Sequence, residues 1–177
     1  MAASVPLRRI LGIDPGYDRC GFAVLSCTAQ GREAQLLGSG TLRTSRALSL
    51  PQRLHKLGRN IEAVISQWQP DEVAVEQLFY NRNAKTVIEV SQARGVILER
   101  AASAGVHVVE YAPTMIKSQL TGSGNAAKTQ VAFMVCRLTG MKQAAELDDE
   151  MDAIAVALCH GMRMSIPKLM VAGRASL

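Results

Sequence analysis

Four acidic residues stand at the edges of strongly apolar segments, at three separated places in a chain of 177 residues. Asp14 follows RRILGI, Glu76 ends EVAVE, and Asp149 and Asp152 come just before AIAVAL. A carboxylate beside an apolar core is costly, so several of them there indicate capping, a turn or a bound cation. Mg²⁺ is a hard cation that takes oxygen ligands of this kind.

Each acid also has a plain structural explanation. The sequence Asp-Pro-Gly at residues 14–16 is typical of a turn in which the carboxylate accepts backbone N–H bonds. Glu76 fits a solvated strand end, and Asp149 and Asp152 fit a helix start, where acids cap N–H groups. However, residues 153–158 are apolar on every side, which predicts that Asp152 begins a buried helix.

The spacing of these acids favours a shared site. Side chains alternate along a strand, so Asp14 should share a face with the small residue Gly12, and Glu76 with Ala74. Asp149 and Asp152 are three residues apart, which places them on one face of a helix. Together the four can form an oxygen cage for one or two Mg²⁺ ions, and such ions activate phosphodiesters toward hydrolysis.

Aromatic and basic residues follow Glu76 in the segment LFYNRNAK. Aromatic side chains between bases can stack on nucleobases, although packing of the first aromatic under its loop explains the pattern equally well. The residues concerned are Phe79, Tyr80, Arg82 and Lys85. A loop at residues 122–125 is flanked by Lys117 and Lys128 and leads into a helix N-terminus, where phosphate oxygens can bind. The alternative interpretation is that both lysines are ordinary solvated surface residues.

The composition indicates a packed globular protein. Its positive charge suits an anionic partner, although ordinary surface charge explains it equally well. Apolar residues make up 48% of the chain, charged residues 20%, and the formal net charge is +5. We expect a single domain at residues 1–164 and a disordered tail at residues 165–177. The scattered cysteines and histidines do not indicate zinc or disulfides, and no segment is apolar enough to span a membrane, so a cytoplasmic location is expected.

The elements that must position the acids alternate along the chain. Three apolar segments at residues 9–14, 21–27 and 34–42 predict an antiparallel meander. A helix at 50–68, a strand at 72–76, a helix at about 83–104 and a strand ending before Pro113 follow, and then a short helix, an amphipathic helix and a last helix at about 149–164. This order predicts an α/β fold with one mixed sheet and helices on both faces.

Across nearly its whole length the chain resembles the RuvC family of bacterial Holliday junction resolvases. The matching stretches, in order, are ILGIDPG, LGSGTLRT, QPDEVAVEQLF, SQARGV, AAKTQVAFMV and DAIAVAL. The resemblance implies a ribonuclease-H-like fold with a mixed five-stranded sheet. It also implies a structure-selective endonuclease that resolves four-way DNA junctions in recombination and repair.

By this resemblance Asp14, Glu76, Asp149 and Asp152 match the family's four catalytic acids, which hold Mg²⁺. Two ions per active site are implied, with Mn²⁺ as a substitute. Lys117 and Lys128 match basic residues near the active site, and Phe79 matches an aromatic residue at the junction centre. Asp148 is the neighbour of Asp149, but alignment on DAIAVAL selects Asp149.

The resemblance further implies a homodimer that makes two symmetric nicks, and a branch-migration helicase complex as partner. The helix at about residues 83–104 is our candidate for the dimer surface. Two other classes remain open on the sequence. The GIDPG motif also resembles the phosphate loop of sugar-kinase or actin-like ATPases, although those proteins need two such domains. A DNA-binding module without catalysis would use the acids only as caps and turns.

Overall fold

The computed structural model describes residues 7–28, 34–78 and 84–164, and these contain a five-stranded mixed sheet. The strands are β1 (Leu7–Asp14), β2 (Arg19–Thr28), β3 (Ala34–Arg43), β4 (Glu72–Glu76) and β5 (His107–Tyr111). Their order is β3-β2-β1-β4-β5. The first three strands pair antiparallel, whereas β4 and β5 run parallel to β1. The predicted meander and mixed sheet are therefore confirmed.

Helices cover both faces of the sheet, as predicted. They are α1 (Leu50–Trp68), α2 (Ala84–Ser103), α3 (Pro113–Thr121), α4 (Lys128–Thr139) and α5 (Asp148–Met164). On one face of the sheet, buried hydrophobic residues pack α1 and α2 against the strands. On the other face, a second group of buried hydrophobic residues packs α3, α4 and α5 against them. Helix α2 is one residue shorter at each end than predicted, and α5 begins one residue earlier than predicted.

Alternation along β1 and β4 decides which face receives each acid. Leu11 and Ile13 pack with α1 and α2, while Ile10 packs with α5 on the opposite face. Ala74 in β4 also belongs to the α5 side. Because side chains two residues apart share a face, Asp14 is directed to the side that carries α5.

Two glycines let α5 lie directly on the strands. A Cβ atom added to Gly12 would stand 2.7 Å from Cβ of Ala157, and one added to Gly21 would overlap the backbone carbonyl of Asp149. The small residue Gly12 beside Asp14 therefore makes room for the helix. Gly21 is also the antiparallel partner of Asp14 in the sheet. The start of α5 is consequently held at the end of β1 that carries Asp14.

A buried polar chain anchors the other end of α5. His160 Nε2 lies 3.0 Å from Glu72 Oε2, and its Nδ1 lies 2.7 Å from the hydroxyl of Tyr111. A carboxylate only accepts, so Nε2–H donates to Glu72 and the neutral ring accepts from Tyr111 at Nδ1. Burial lowers the pKa of His160 and Glu72 opposes this shift. Both ends of α5 are thus held in a fixed position against the sheet.

No helix in the described part of the chain is long and apolar enough to cross a membrane. Cys20, Cys27 and Cys159 are free and buried, and Cys136 is free and partly buried. The predicted tail at residues 165–177 lies outside the described residues. The single-domain organisation of residues 1–164 stays a prediction.

Candidate active site

Asp14 and Glu76 meet at one edge of the sheet. β1 and β4 are parallel neighbours, with Ile13 opposite Val75, so the acid that follows on each strand lies beside the other. Burial raises the pKa of Asp14 well above its ordinary value, and the charges of Glu76 and Asp152 raise it further. Burial likewise raises the pKa of Glu76. A side-chain hydrogen bond between the two carboxyl groups raises the pKa of Asp14 further and lowers that of Glu76, so protonated Asp14 donates to Glu76 in a partly desolvated place.

The first turns of α5 bring Asp149 and Asp152 to the same place. Burial raises the pKa of Asp152, while the nearby charge of Lys128 opposes the rise and Asp149 adds to it. The charge of Asp149 also raises the pKa of Asp14. The four acids predicted from separate parts of the sequence thus form one electrostatic cluster.

Two lysines from α3 and α4 border this cluster, as the sequence analysis anticipated. Lys128 Nζ lies 3.5 Å from Asp152 Oδ2 and 3.5 Å from Asp148 Oδ2. The pKa of Lys128 is raised, mainly by the charge of Asp152. The charges of Lys128 and Lys117 both lower the pKa of Glu76, which places each of them within electrostatic reach of the site.

The donor set fits a divalent cation such as Mg²⁺. Burial is the largest cause of the raised pKa of three of the carboxyl groups, and repulsion from neighbouring carboxylates adds to it. A cation that binds oxygen ligands would relieve this repulsion. Among the described residues, no three acidic, histidine or cysteine side chains are placed so that they could hold a metal ion as they stand. The cluster thus supplies oxygen donors for a cation without a closed coordination shell.

Asp148 and Asp149 occupy different surroundings. The side chain of Asp148 is 79% exposed, whereas that of Asp149 is 18% exposed. Asp149 Oδ2 lies 2.8 Å from Arg19 Nε at the start of β2. The sequence analysis missed this arginine, and a basic residue three positions after the glycine of the Asp-Pro-Gly turn is the signal that could have identified it.

The predicted DNA contacts that follow Glu76 are not covered by the structure. Phe79, Tyr80 and Arg82 lie outside the described residues, and so does the side chain of Lys85. The backbone of Lys85 belongs to the first turn of α2. These residues remain predictions from the sequence.

Comparison with known proteins identifies the family to which the chain is similar. Residues 10–160 match the family model for "Crossover junction endodeoxyribonuclease RuvC". A protein of that name from Syntrophomonas wolfei is 45% identical over 152 residues, covering 86% of this chain and 87% of the relative. One from Halorhodospira halophila is 41% identical over 161 residues, covering 91% and 94%.

A solved structure extends the likeness to the fold. RuvC of Thermus thermophilus in complex with a Holliday junction substrate superposes with a TM-score of 0.83 at 33% identity, covering 89% of this chain and 95% of that one. The ribonuclease-H-like fold implied by the sequence is therefore confirmed. On the family match and on the identity to its members, the chain belongs to the RuvC family of crossover junction endodeoxyribonucleases.

Proposed function

We propose that this protein is a divalent-cation-dependent endonuclease that resolves four-way DNA junctions by paired symmetric nicks. The observation that carries the proposal is the meeting of Asp14, Glu76, Asp149 and Asp152 in one partly buried acidic cluster, where the ends of β1 and β4 lie beside the start of α5. Membership of the RuvC family supports it, as does the likeness to a relative whose structure was solved with a Holliday junction.

In this proposal the four carboxylates hold two Mg²⁺ ions, and Mn²⁺ can replace Mg²⁺. The bound ions supply Lewis-acid activation of the scissile phosphodiester. Asp14 and Glu76 provide rigid ligands because each ends a strand of the central sheet. Asp149 and Asp152 provide ligands from a helix that is packed against the strand backbone.

The lysines have a complementary role. Lys128 lies at the first position of α4 beside Asp152, where its ammonium group can hold a phosphate oxygen and stabilise charge that develops on it. Lys117 lies in α3, and its charge also reaches Glu76. We propose that both lysines bind the backbone of the DNA strand to be cut.

The remaining parts of the proposal concern the assembly. Phe79, Tyr80, Arg82 and Lys85 are proposed to contact the junction near its centre. A homodimer would present two active sites to the two-fold junction, which explains paired nicks. A branch-migration helicase complex is the proposed partner, and we propose a cytoplasmic location because the substrate is DNA.

The decisive experiment is cleavage of a synthetic four-way junction with Mg²⁺, compared with linear duplex and with EDTA. We expect symmetric nicks in the junction only, and none once the cation is removed. Glu76→Gln should remove cleavage while junction binding survives, because the carboxylate serves the cation and not the fold. Glu62→Gln, an exposed residue of α1, is the matched control and should cut normally.

Two results would contradict the proposal. Full activity of Glu76→Gln would refute the role of this carboxylate. Junction binding without cutting by the wild type under any divalent cation would instead indicate a DNA-binding module.

A further inference from the structure

The turn between β1 and β2 is fastened from two sides by arginines. Arg53, which is buried in α1, donates to the backbone carbonyl of Tyr17 at 3.0 Å and to the carboxylate of Asp18. Arg46 donates to the same carboxylate, with Nη2 3.0 Å from Asp18 Oδ2. These contacts fix the backbone just before Arg19, so Arg19 leaves the turn in a defined direction.

Arg19 reaches from this turn to the first turn of α5. Its Nε lies 2.8 Å from Asp149 Oδ2, an ion-pair contact without the geometry of a hydrogen bond, and that oxygen has no hydrogen-bond partner. The side chain of Arg19 is 49% exposed, although Asp149 is largely buried. The charge of Asp149 is therefore balanced by a side chain that can turn away without disturbing the core.

A groove of about 600 Å³ opens beside this ion pair. Its charged lining consists of three arginines and of the two carboxylates that pair with two of them: Arg19, Arg43, Arg46, Asp18 and Asp149. Arg19 and Arg43 are direct partners in the β2–β3 ladder, where like charges repel. No carboxylate of the described residues lies within ion-pair distance of Arg43. An anion between these two guanidinium groups would remove their repulsion, and a phosphate matches their planar donor fork.

We propose that Arg19 is a positioning residue that couples DNA binding to cation binding. In the free protein Arg19 holds Asp149 and competes with the cation for that carboxylate. When a DNA backbone phosphate enters the groove, Arg19 turns toward it beside Arg43 and leaves Asp149 to the cation. This inference rests on the proposed nuclease function, and it assigns the groove as a phosphate subsite next to the active site.

The test measures two kinds of binding whose changes should have opposite signs. Mn²⁺ binding to the full chain without DNA is followed by electron paramagnetic resonance of the free ion. Arg19→Gln should bind Mn²⁺ about fivefold more tightly, the effect of removing one competing ion pair. Junction binding in EDTA is followed by fluorescence anisotropy over a range of salt concentrations. The same variant should bind the junction more weakly, and its salt slope should be smaller by about 1.

Two further variants separate this role from a loss of charge or of folding. Arg59→Gln removes the same charge at an exposed position of α1 and should leave Mn²⁺ binding unchanged. Arg19→Lys keeps the charge and should retain most of the wild-type behaviour in both measurements. A merely structural role for Arg19 would weaken the binding of both ligands.

Unchanged or weaker Mn²⁺ binding in Arg19→Gln would overturn the inference. A loss of junction affinity no larger than that of Arg59→Gln would also overturn it. Neither measurement depends on cleavage, so the two proposals can fail separately. A wild-type protein that cuts junctions, with Mn²⁺ affinity unaffected by Arg19→Gln, would reject only the role of Arg19.

Discussion

Asp148 and Asp149 are neighbours in the chain, yet the first turn of α5 separates their roles. Asp148 is turned to solvent and pairs with Lys128 across 3.5 Å, which is a weak exposed contact. Asp149 is largely buried, and its charge raises the pKa of Asp14. The carboxylate that shares the electrostatic environment of Asp14 is the better ligand for a cation there.

Substitution of each residue by asparagine should distinguish the contributions of Asp148 and Asp149 to cleavage. Asp149→Asn should reduce junction cleavage severely, because it removes the charge of a proposed cation ligand from the buried cluster. Asp148→Asn should change the rate by about fivefold at most, since it loses only an exposed ion pair. Single-turnover cleavage rates at saturating Mg²⁺ measure both effects. Equal losses in the two variants would show that the exposed acid also takes part.

At the scale of elements, the site depends on how closely α5 approaches the sheet. Gly12 lies under α5, where a methyl group would press on Ala157 and on the backbone of Ala153. Interdigitated small residues bring the helix backbone onto β1, so the first turn of α5 can reach Asp14. The glycine is therefore a requirement of the site as well as of the fold.

Gly12→Ala should lower the free energy of unfolding by about 1–3 kcal/mol, because a well-packed contact becomes overpacked. Gly95→Ala is a suitable control, since Gly95 lies in α2 with open space around the position of its Cβ. The control should raise stability by about 0.5–1 kcal/mol through helix propensity. Urea unfolding followed by circular dichroism gives both values. Equal stability of Gly12→Ala and wild type would mean that α5 can move away from the sheet at little cost.

Local periodicity predicted the elements and the faces on which the acids lie. In β1 the alternation of Leu11 and Ile13 with Ile10 correctly directed Asp14 to one side of the sheet. That alternation acts over a few residues, so it can be recognised in the sequence. The role of Gly12 could not be recognised in the sequence, since this glycine provides room for a helix that lies far away in the chain.

Contacts between distant charged residues could not be predicted in this way. The ion pair between Arg19 and Asp149 joins residues that are 130 positions apart in the chain. The buried Arg53 and the turn residue Asp18 are likewise remote in sequence. Such pairs depend on the packing of α5 and α1 against the sheet, and no periodic pattern encodes them. The choice of Asp149 over Asp148 came from the family resemblance, and the difference in their burial became visible only in the structure.

At the scale of the whole molecule, paired nicks require two active sites on one junction. A dimer with a two-fold axis satisfies this requirement because a four-way junction can adopt the same symmetry. Helix α2, the candidate dimer surface, carries Ile88, whose side chain is 59% exposed. A large apolar side chain in water favours burial against a second surface. Phe133 on α4 is 63% exposed and offers a comparable residue on the opposite side of the sheet.

Ile88→Asp should therefore weaken self-association, while Phe133→Asp should leave it intact. Sedimentation should give twice the chain mass for the wild type and for Phe133→Asp, but a shift toward the single chain for Ile88→Asp. On a supercoiled plasmid with an extruded cruciform, two coordinated nicks linearise the DNA, whereas one nick only relaxes it. Ile88→Asp should accumulate relaxed circles. Dimers of unchanged stability in Ile88→Asp, or their loss in Phe133→Asp, would place the interface away from α2.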